Sequence, residues 1–593
     1  MKNKAFAYLS NNRYWIAILL IFLIGIFFRT YHFSDWLHFE LDQSRDAKVI
    51  DLAIQEGPSN LPLLGPKAAG SFLRLGPIFY YFKYLSALVF GNTPAGIAII
   101  ILIFGILAIP AFYFFIKEYF DRRFSLALLF LFSLSLFLIM YSRFSWNPNP
   151  LPLFTILAFY ALLKSVRTEN PKASGWWLVI AWVSMAIATQ MHFLAFVSMP
   201  IIFVLFLLIK RPRIKIKYLI ISALLVVFLY FPPILNDIKT GGDNIGELLK
   251  AVTKKSSDEG HALIEKAVRN YTDNSLGYFL ILSGQEKAEL PKFNQRKAFV
   301  FLDPVCDQDC RDRMPLGTLA FLLYTTGIFL LAKNIYYEKD SRRKNFLILI
   351  VLWFLVTFAL FIPIAYDIAP RFFLLISALP FVFLGFILEF IESKFKYLSR
   401  YVFILVILAL ALSNNWAVNK RFDELRRAPL ESFDITPDRV LKEGTRVTLE
   451  QQYLITDYIA GIYAENKYPV YINSSAYYRR SFLYLLEKLE IPRDDFRNST
   501  NSHTIYRHGN YFLIYPTLSN LQPKIEKYNN NYDVVSEKEF GTLTLFQLIP
   551  KEEAINAVEQ EFEPKGKPKS APGVPERYTW EEIFSETESE ESE

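Results

Sequence analysis

The sequence predicts a multi-pass α-helical membrane protein of about eleven transmembrane helices, followed by a small extracytoplasmic α/β domain. Two observations carry this. Through the first ~415 residues, apolar stretches alternate with short basic loops, the pattern of a chain threaded repeatedly through lipid. The remainder is polar and mixed in charge, with helix-period and strand-period segments in alternation. Composition agrees, since 53% of the 593 residues are hydrophobic and 55 are Phe. The net charge of +7 sits mostly in the short loops, so it reports topology rather than a nucleic-acid partner.

The first span is expected at 14–28. Lys2, Lys4 and Arg13 precede it, which places its start in the cytoplasm. No small-residue cleavage site follows, so it reads as an uncleaved helix rather than a signal peptide. The first outer loop is set at 29–94. Within it, 77–90 is apolar but only 14 residues long and carries Lys83 centrally. A spanning helix needs ~20 residues, so this segment is expected to lie flat at the outer interface. Spans are then expected at 95–116, 126–141, 151–163, 176–191, 193–209 and 218–231. A long outer loop, 236–315, precedes the last four, at 316–332, 346–362, 372–391 and 401–412. With this assignment all five basic loops, around Arg122, Arg167, Arg213, Arg343 and Lys396, fall on the side of the N-terminus.

The transmembrane module is thus expected over 1–415 and the extracytoplasmic α/β domain over 416–550. That domain is expected to hold helices at 448–464 and 476–489 and strands at 468–472, 511–515, 533–535 and 542–548. Residues 551–593, rich in Pro, Lys and Glu, read as a disordered acidic tail. Cys306 and Cys310 flank Asp307-Gln308-Asp309 in the long outer loop. Outside the cell that spacing favours a disulfide over a metal site.

The densest charge lies in Phe39-Glu40-Leu41-Asp42-Gln43-Ser44-Arg45-Asp46-Ala47, directly after the first span. It holds three carboxylates and an arginine between Glu40 and Asp46. Charge held beside a bilayer is costly and marks a functional site by default. On a helix, Asp42 and Asp46 share a face with Arg45 beside them, and Glu40 points elsewhere. A polar N-cap for a surface helix is the plainer alternative.

Other polar residues are expected at the same membrane face: Arg143 and Asn147 after the third span, His192 after the fifth, Arg371 after the ninth, and Lys67, Arg74 and Lys83 in the first loop. Arg and Lys suit a phosphate, Arg by its bidentate fork. A phosphate-bearing lipid of the outer leaflet brings its headgroup to this level. Each has a plainer role: snorkelling for the lysines, interfacial anchoring for the arginines, packing for His192 and capping for Asn147.

The order Asp42-Gln43-Ser44-Arg45-Asp46-Ala47, Gly76-Pro77-Ile78-Phe79-Tyr80-Tyr81, Tyr141-Ser142-Arg143-Phe144-Ser145-Trp146-Asn147-Pro148 and Ala369-Pro370-Arg371-Phe372 resembles the GT-C superfamily of membrane glycosyltransferases. The nearest branch is the dolichyl-phosphate-mannose-protein mannosyltransferase-like one, which includes relatives of the aminoarabinose transferases. The resemblance covers roughly residues 10–415. It implies an inverting glycosyltransferase that moves a sugar from a polyprenyl-phosphate-linked donor to an acceptor hydroxyl at the outer face of the plasma membrane. By position Asp42 corresponds to the family's catalytic base, with Asp46 and Glu40 beside it. Arg143, Arg371, Arg74 and Lys83 are the implied phosphate ligands, and Arg45, His192, Asn147 and Tyr81 the implied substrate contacts. Many members carry Asp-Glu where this chain has Asp42-Gln43, which puts a metal-binding role for the pair in doubt. No cofactor or metal is implied as required; a divalent cation is permitted but not indicated. The acceptor is a glycolipid, a glycopolymer or a protein. The competing readings are a transporter or flippase of a lipid-linked substrate, and a non-catalytic subunit of a glycan assembly complex. Against the transporter, the charges gather at one face and no inverted repeat relates the halves.

Overall fold

The structure is a computed structural model. It describes all residues except 1, 69–70, 254–260, 296–301, 396, 437, 497–503, 561–575 and 591–593. Lys396 and part of the tail therefore lie outside the described residues.

The N-terminal part runs α1 (Lys2–Thr30), α2 (Leu41–Glu56), α3 (Ile78–Phe90), α4 (Pro94–Ile116), α5 (Arg122–Leu134), α6 (Leu136–Tyr141), α7 (Leu151–Arg167), α8 (Pro171–Met191), α9 (Phe193–Lys210) and α10 (Ile216–Lys239). Next come α11 (Asp243–Thr253), α12 (Leu263–Ser283) and the hairpin β1 (Lys292–Gln295) and β2 (Leu302–Val305). Then α13 (Gln308–Tyr337), α14 (Ser341–Phe361), a 3-10 turn Pro370–Ile376, α15 (Leu379–Lys394) and α16 (Ser399–Arg427) complete the helical bundle. Starts are set by local chemistry: the Thr93, Asp121 and Asp340 side chains each accept the amide three residues on, satisfying one otherwise orphaned donor.

Among the described residues seven helices are long and apolar enough to cross a membrane, or eight if the 3-10 turn and α15, bent by 60°, count as one span. The membrane fold class stands. The expected span at 126–141 is broken at Ser135 into α5 and α6, while the one expected at 151–163 runs on to Arg167 as the 17-residue α7. The split is built into the bundle. Ser135 Oγ donates to Ile281 O at 2.7 Å, and the Leu136 amide freed by the break donates to Asn414 Oδ1 at 3.0 Å. Helix α3 has 13 residues, about 20 Å at 1.5 Å per residue, as its apolar length led one to expect.

The loop expected over 236–315 needs correction, because it contains α12. Ile281 is fully buried, and Asn270 donates to Phe358 O at 3.0 Å. The Asn and Ser residues of α12 lower its hydropathy while satisfying backbone acceptors inside the bundle, which hides the helix from an apolar-run reading. Helix α16 likewise runs past 412 to Arg427. Cys306 and Cys310 form a disulfide.

The C-terminal region comprises α17 (Leu449–Asn466), β3 (Val470–Ser474), α18 (Arg479–Lys488), β4 (Arg493–Asp495), β5 (Asn510–Pro516), α19 (Gln522–Glu526), β6 (Tyr532–Phe540) and β7 (Leu543–Pro550). The sheet order is β4-β3-β5-β7-β6, parallel across the first three strands and antiparallel beyond. Side chains alternate between faces: Ile472, Phe512 and Ile514 join one core with Ile455 and Phe482 of the helices, while Tyr471, Tyr511 and Leu513 join another. The tail is not structureless throughout. Glu576–Thr579 bonds to the bundle, and α20 (Trp580–Glu590) follows.

Basic loops gather at one end of the bundle. Arg167 and Arg342 both reach Glu118, Arg123 reaches Glu392, and Arg343 reaches Glu389. The turns carrying Trp146, His192 and Arg371 meet at the other end, beside α2.

Candidate active site

Helix α2 opens with Glu40, whose amide donates to Gln43 Oε1 at 3.1 Å. Asp42 in the first turn complements the helix dipole. The four-residue spacing sets Asp42 and Asp46 on one face, and Arg45 ties them together. Its Nη1 donates to Asp42 Oδ1 at 2.8 Å, and its Nε and Nη2 donate to Asp46 Oδ1 at 2.9 and 2.7 Å.

The two carboxylates are not equivalent. The Asp46 side chain is 1% exposed and also accepts from Lys83 Nζ at 3.0 Å and Tyr80 OH at 3.2 Å. Burial pushes its carboxyl up, but Arg45 and Lys83 outweigh burial and hold it below the ordinary range. With its oxygens occupied, Asp46 acts as a fixed counter-ion. Lys83 is fully buried on that pair and lies 4.6 Å over the Phe79 ring. Asp42 is 36% exposed, and its Oδ2 accepts from Trp146 Nε1 at 3.0 Å. A carboxylate has about four lone-pair sites, so Asp42 is oriented and still able to accept a proton.

Trp146 also links Asp42 to Arg371, whose guanidinium carbon lies 5.1 Å over the indole. Asn147 secures this turn by donating to Met191 O at 2.7 Å. His192 caps α9, its Nδ1 accepting from the Leu194 amide at 3.2 Å, and packs edge-on against Phe372. Asn147 and His192 thus hold the turns together.

Arg143 stands apart from the carboxylates. Its guanidinium donates to the carbonyls of Phe28, Arg29 and His32 at 3.0–3.3 Å and packs over Phe422 at 4.9 Å. It caps the C-terminus of α1, where four carbonyls lack helical partners. The phosphate role expected for Arg143 finds no support in this placement.

The remaining expected cations come from the loop between α2 and α3. Gly65 N donates to Leu75 O at 2.7 Å, and Lys67 pairs with Arg74 across the same hairpin. Gly76 packs closely on Gln190: a Cβ there would sit 2.2 Å from Gln190 Oε1, so that buried side chain would have to move. Burial, and then the charges of Arg577 and Arg45, lower Arg74 to about 10. Like charges depress one another only at close range, so these cations share one locality. Tyr81 donates to Pro62 O at 3.2 Å and accepts from Trp580 at 3.1 Å.

Glu40 belongs to a different network. His38 Nδ1 lies 2.8 Å from Glu443, and His38 Nε2 lies 3.6 Å from Glu40. Candidate ligand atoms of these three residues fall within 4.8 Å of one another. Arg421 and Arg446 also meet Glu443, at 2.7 and 2.8 Å. The C-terminal region holds this stretch in place: Gln452 and Ser481 both donate to Phe39 O, at 3.0 and 3.1 Å. Lys488 reaches Asp51 at 2.6 Å.

Tyr80, Trp146, His38 and Arg577 were not singled out as site residues by sequence reasoning. Tyr80 and Trp146 stand inside the quoted motifs, whose charged members drew the attention. For Arg577 the signal was the aromatic pair Tyr578 and Trp580 in an otherwise polar tail.

Residues 75–236 match the family model of dolichyl-phosphate-mannose-protein mannosyltransferases, which bears out the resemblance read from the motifs. The match includes Tyr81, Lys83, Trp146 and His192 but neither Asp42 nor Arg371. No curated protein matches. Among solved structures, the chain is similar to apo ArnT from Cupriavidus metallidurans, at 9% identity and a TM-score of 0.48, covering 92% of this chain and 98% of that one. It is also similar to the archaeal oligosaccharyltransferase AglB from Archaeoglobus fulgidus, in complex with an inhibitory peptide and a dolichol-phosphate. That likeness has 12% identity and a TM-score of 0.49, covering 92% of this chain and 77% of that one.

Proposed function

We propose that this chain, mannosyltransferase-like over residues 75–236, is an inverting glycosyltransferase. It uses a polyprenyl-phosphate-linked sugar and transfers it to an acceptor hydroxyl at the outer face of the plasma membrane. The observation that carries the reading is the division of labour within one carboxylate pair: Asp46 buried and neutralised, Asp42 half-exposed and aimed by Arg45 and Trp146. Asp42 takes the acceptor's proton as its oxygen attacks the anomeric carbon. The bond from that carbon to the phosphate oxygen breaks, and the polyprenyl phosphate leaves with the electron pair. Attack opposite the leaving group inverts the centre.

Charge supports this assignment. Asp42 and Asp46 are balanced by Arg45 and Lys83. Arg74, Lys67 and Arg371 then add positive charge beside the pair, which favours an anionic donor and stabilises the phosphate as it departs. The C-terminal region buttresses α2, a role in holding the base rather than in chemistry.

For topology we place the Arg123, Arg167 and Arg343 end in the cytoplasm and Asp42 outside, following the one-sided basic loops. Helix α3 then lies along the outer interface, too short to span. Incubating the purified chain with polyprenyl-phosphate sugars and a membrane extract from its host tests the reaction. Release of polyprenyl phosphate coupled to a glycosylated product is expected; vectorial movement of the intact lipid without product would favour a flippase instead.

A further inference from the structure

The tail returns to the site. Between Glu576 and Trp580 the chain lies antiparallel to residues 61–63, in a single bridge of Pro62 with Thr579: Leu63 N donates to Tyr578 O at 2.9 Å and Trp580 N to Leu61 O at 3.4 Å. Asn236, at the end of α10, grips it from the other side, donating to Glu576 O and accepting from Tyr578 N, both at 3.0 Å. Trp580 stacks on Phe231 at 6.2 Å and donates to Tyr81 OH at 3.1 Å. Thr579 and Glu582 then exchange hydrogen bonds that start α20.

This docking aims Arg577 at the carboxylate pair. Its Nη1 lies 3.5 Å from Tyr80 OH, the hydroxyl that bonds Asp46. Its guanidinium carbon lies 5.7 Å from the Tyr80 ring centre. Among the described residues Arg577 makes no ion pair with a carboxylate; its charge and those of Arg45 and Arg74 all bear on the Tyr80 hydroxyl, as does that of Asp46. Three guanidinium groups thus converge beside Asp46, whose oxygens already accept from Arg45, Lys83 and Tyr80, and a cluster of arginine forks suits a phosphate.

We propose that residues 576–580 form a strap that supplies Arg577 as a phosphate-binding residue for the polyprenyl-phosphate donor. This rests on the donor reading above. The strap joins the far end of the chain to α2 and α3, so donor binding and strap docking strengthen one another.

The test uses the full-length chain in lipid nanodiscs. Binding of undecaprenyl phosphate, and separately of inorganic phosphate, is measured for the wild type, Arg577→Ala, Arg577→Lys and a chain ending at 575. Thermal unfolding reports folding of each. Loss of one charge-assisted contact is expected to weaken binding of the lipid roughly 10-fold or more, with Arg577→Lys intermediate. The truncated chain should match Arg577→Ala and regain affinity when a peptide of residues 576–590 is added. Equal affinity in wild type and Arg577→Ala overturns the proposal and leaves the donor reading intact. Tighter binding by the truncated chain overturns it too, and makes the strap autoinhibitory. Arg577-dependent binding of inorganic phosphate with no binding of the lipid upholds the anion site and fails the donor reading.

Discussion

Trp146 Nε1 donates a 3.0 Å hydrogen bond to Asp42 Oδ2 while Arg371 lies over the same indole. One ring thus aims the carboxylate and carries a cation to its side. Trp146→Phe keeps an aromatic, though smaller, ring and removes the donor. It is expected to lower kcat roughly tenfold, the order of one hydrogen bond to a charged group, with little change in the donor KM. A change confined to KM would show that the indole shapes binding rather than the base.

Asp46 and Lys83 form a buried pair, 1% and 0% exposed. Asp46→Asn leaves Lys83 uncompensated and is expected to cost on the order of 3–5 kcal/mol of stability. Asp46→Asn combined with Lys83→Met should be milder, which thermal unfolding of the two variants compares. The folded-state carboxyl is depressed, so its stabilisation is present above the unfolded value, about pH 4, and is lost as pH falls through the folded value.

Arg143→Ala is expected to lower the unfolding temperature and leave the donor KM unchanged, since it frees the carbonyls at the end of α1. Arg371→Ala should do the reverse, raising the donor KM while sparing stability. Steady-state kinetics beside thermal unfolding separates them, and a donor defect in Arg143→Ala would return that residue to the phosphate site.

The contrast between these arginines shows where sequence reasoning reached and where it stopped. Both stand at helix ends in aromatic turns, and local sequence treats them alike. What separates them is the partner: carbonyls of α1 for Arg143, the indole beside Asp42 for Arg371. Period and composition located most of the apolar helices, the short α3 and most of the C-terminal strands, because burial imposes repeats of 3.6 and 2. They missed α12, whose buried Asn270 bonds to the Phe358 carbonyl, 88 residues away. The spacing of Asp42, Arg45 and Asp46 on α2 was legible as a shared face. That one carboxylate is sealed by Lys83 and Tyr80 while the other is open depends on how α3 packs, which no local pattern encodes. The aromatic pair beside Arg577 marks a docking segment, but its partner Tyr80 lies 497 residues away, and no local pattern encodes that contact.

His38 is raised to about 9; burial opposes this, but the Glu40 and Glu443 carboxylates outweigh it. Glu443 is itself held low against burial by His38, Arg421 and Arg446, and Asp438 adds to the field. A raised histidine stabilises fully below its unfolded value, near 6.5, and the gain is lost as pH rises through about 9. Thermal stability should therefore fall between about pH 6.5 and 9, and His38→Gln should flatten that slope. An unchanged slope in the variant would assign the alkaline loss to another group.

The central claim is that Asp42 is the base, and Asp42→Asn tests it most directly. The amide retains shape and can still meet Arg45 or Trp146, but it does not take the acceptor's proton. Sugar transfer from the polyprenyl-phosphate donor, measured on folded protein that binds polyprenyl phosphate with wild-type affinity, is expected to fall roughly 10²–10⁴-fold. Transfer by Asp42→Asn at the wild-type rate would place the base elsewhere and contradict the account.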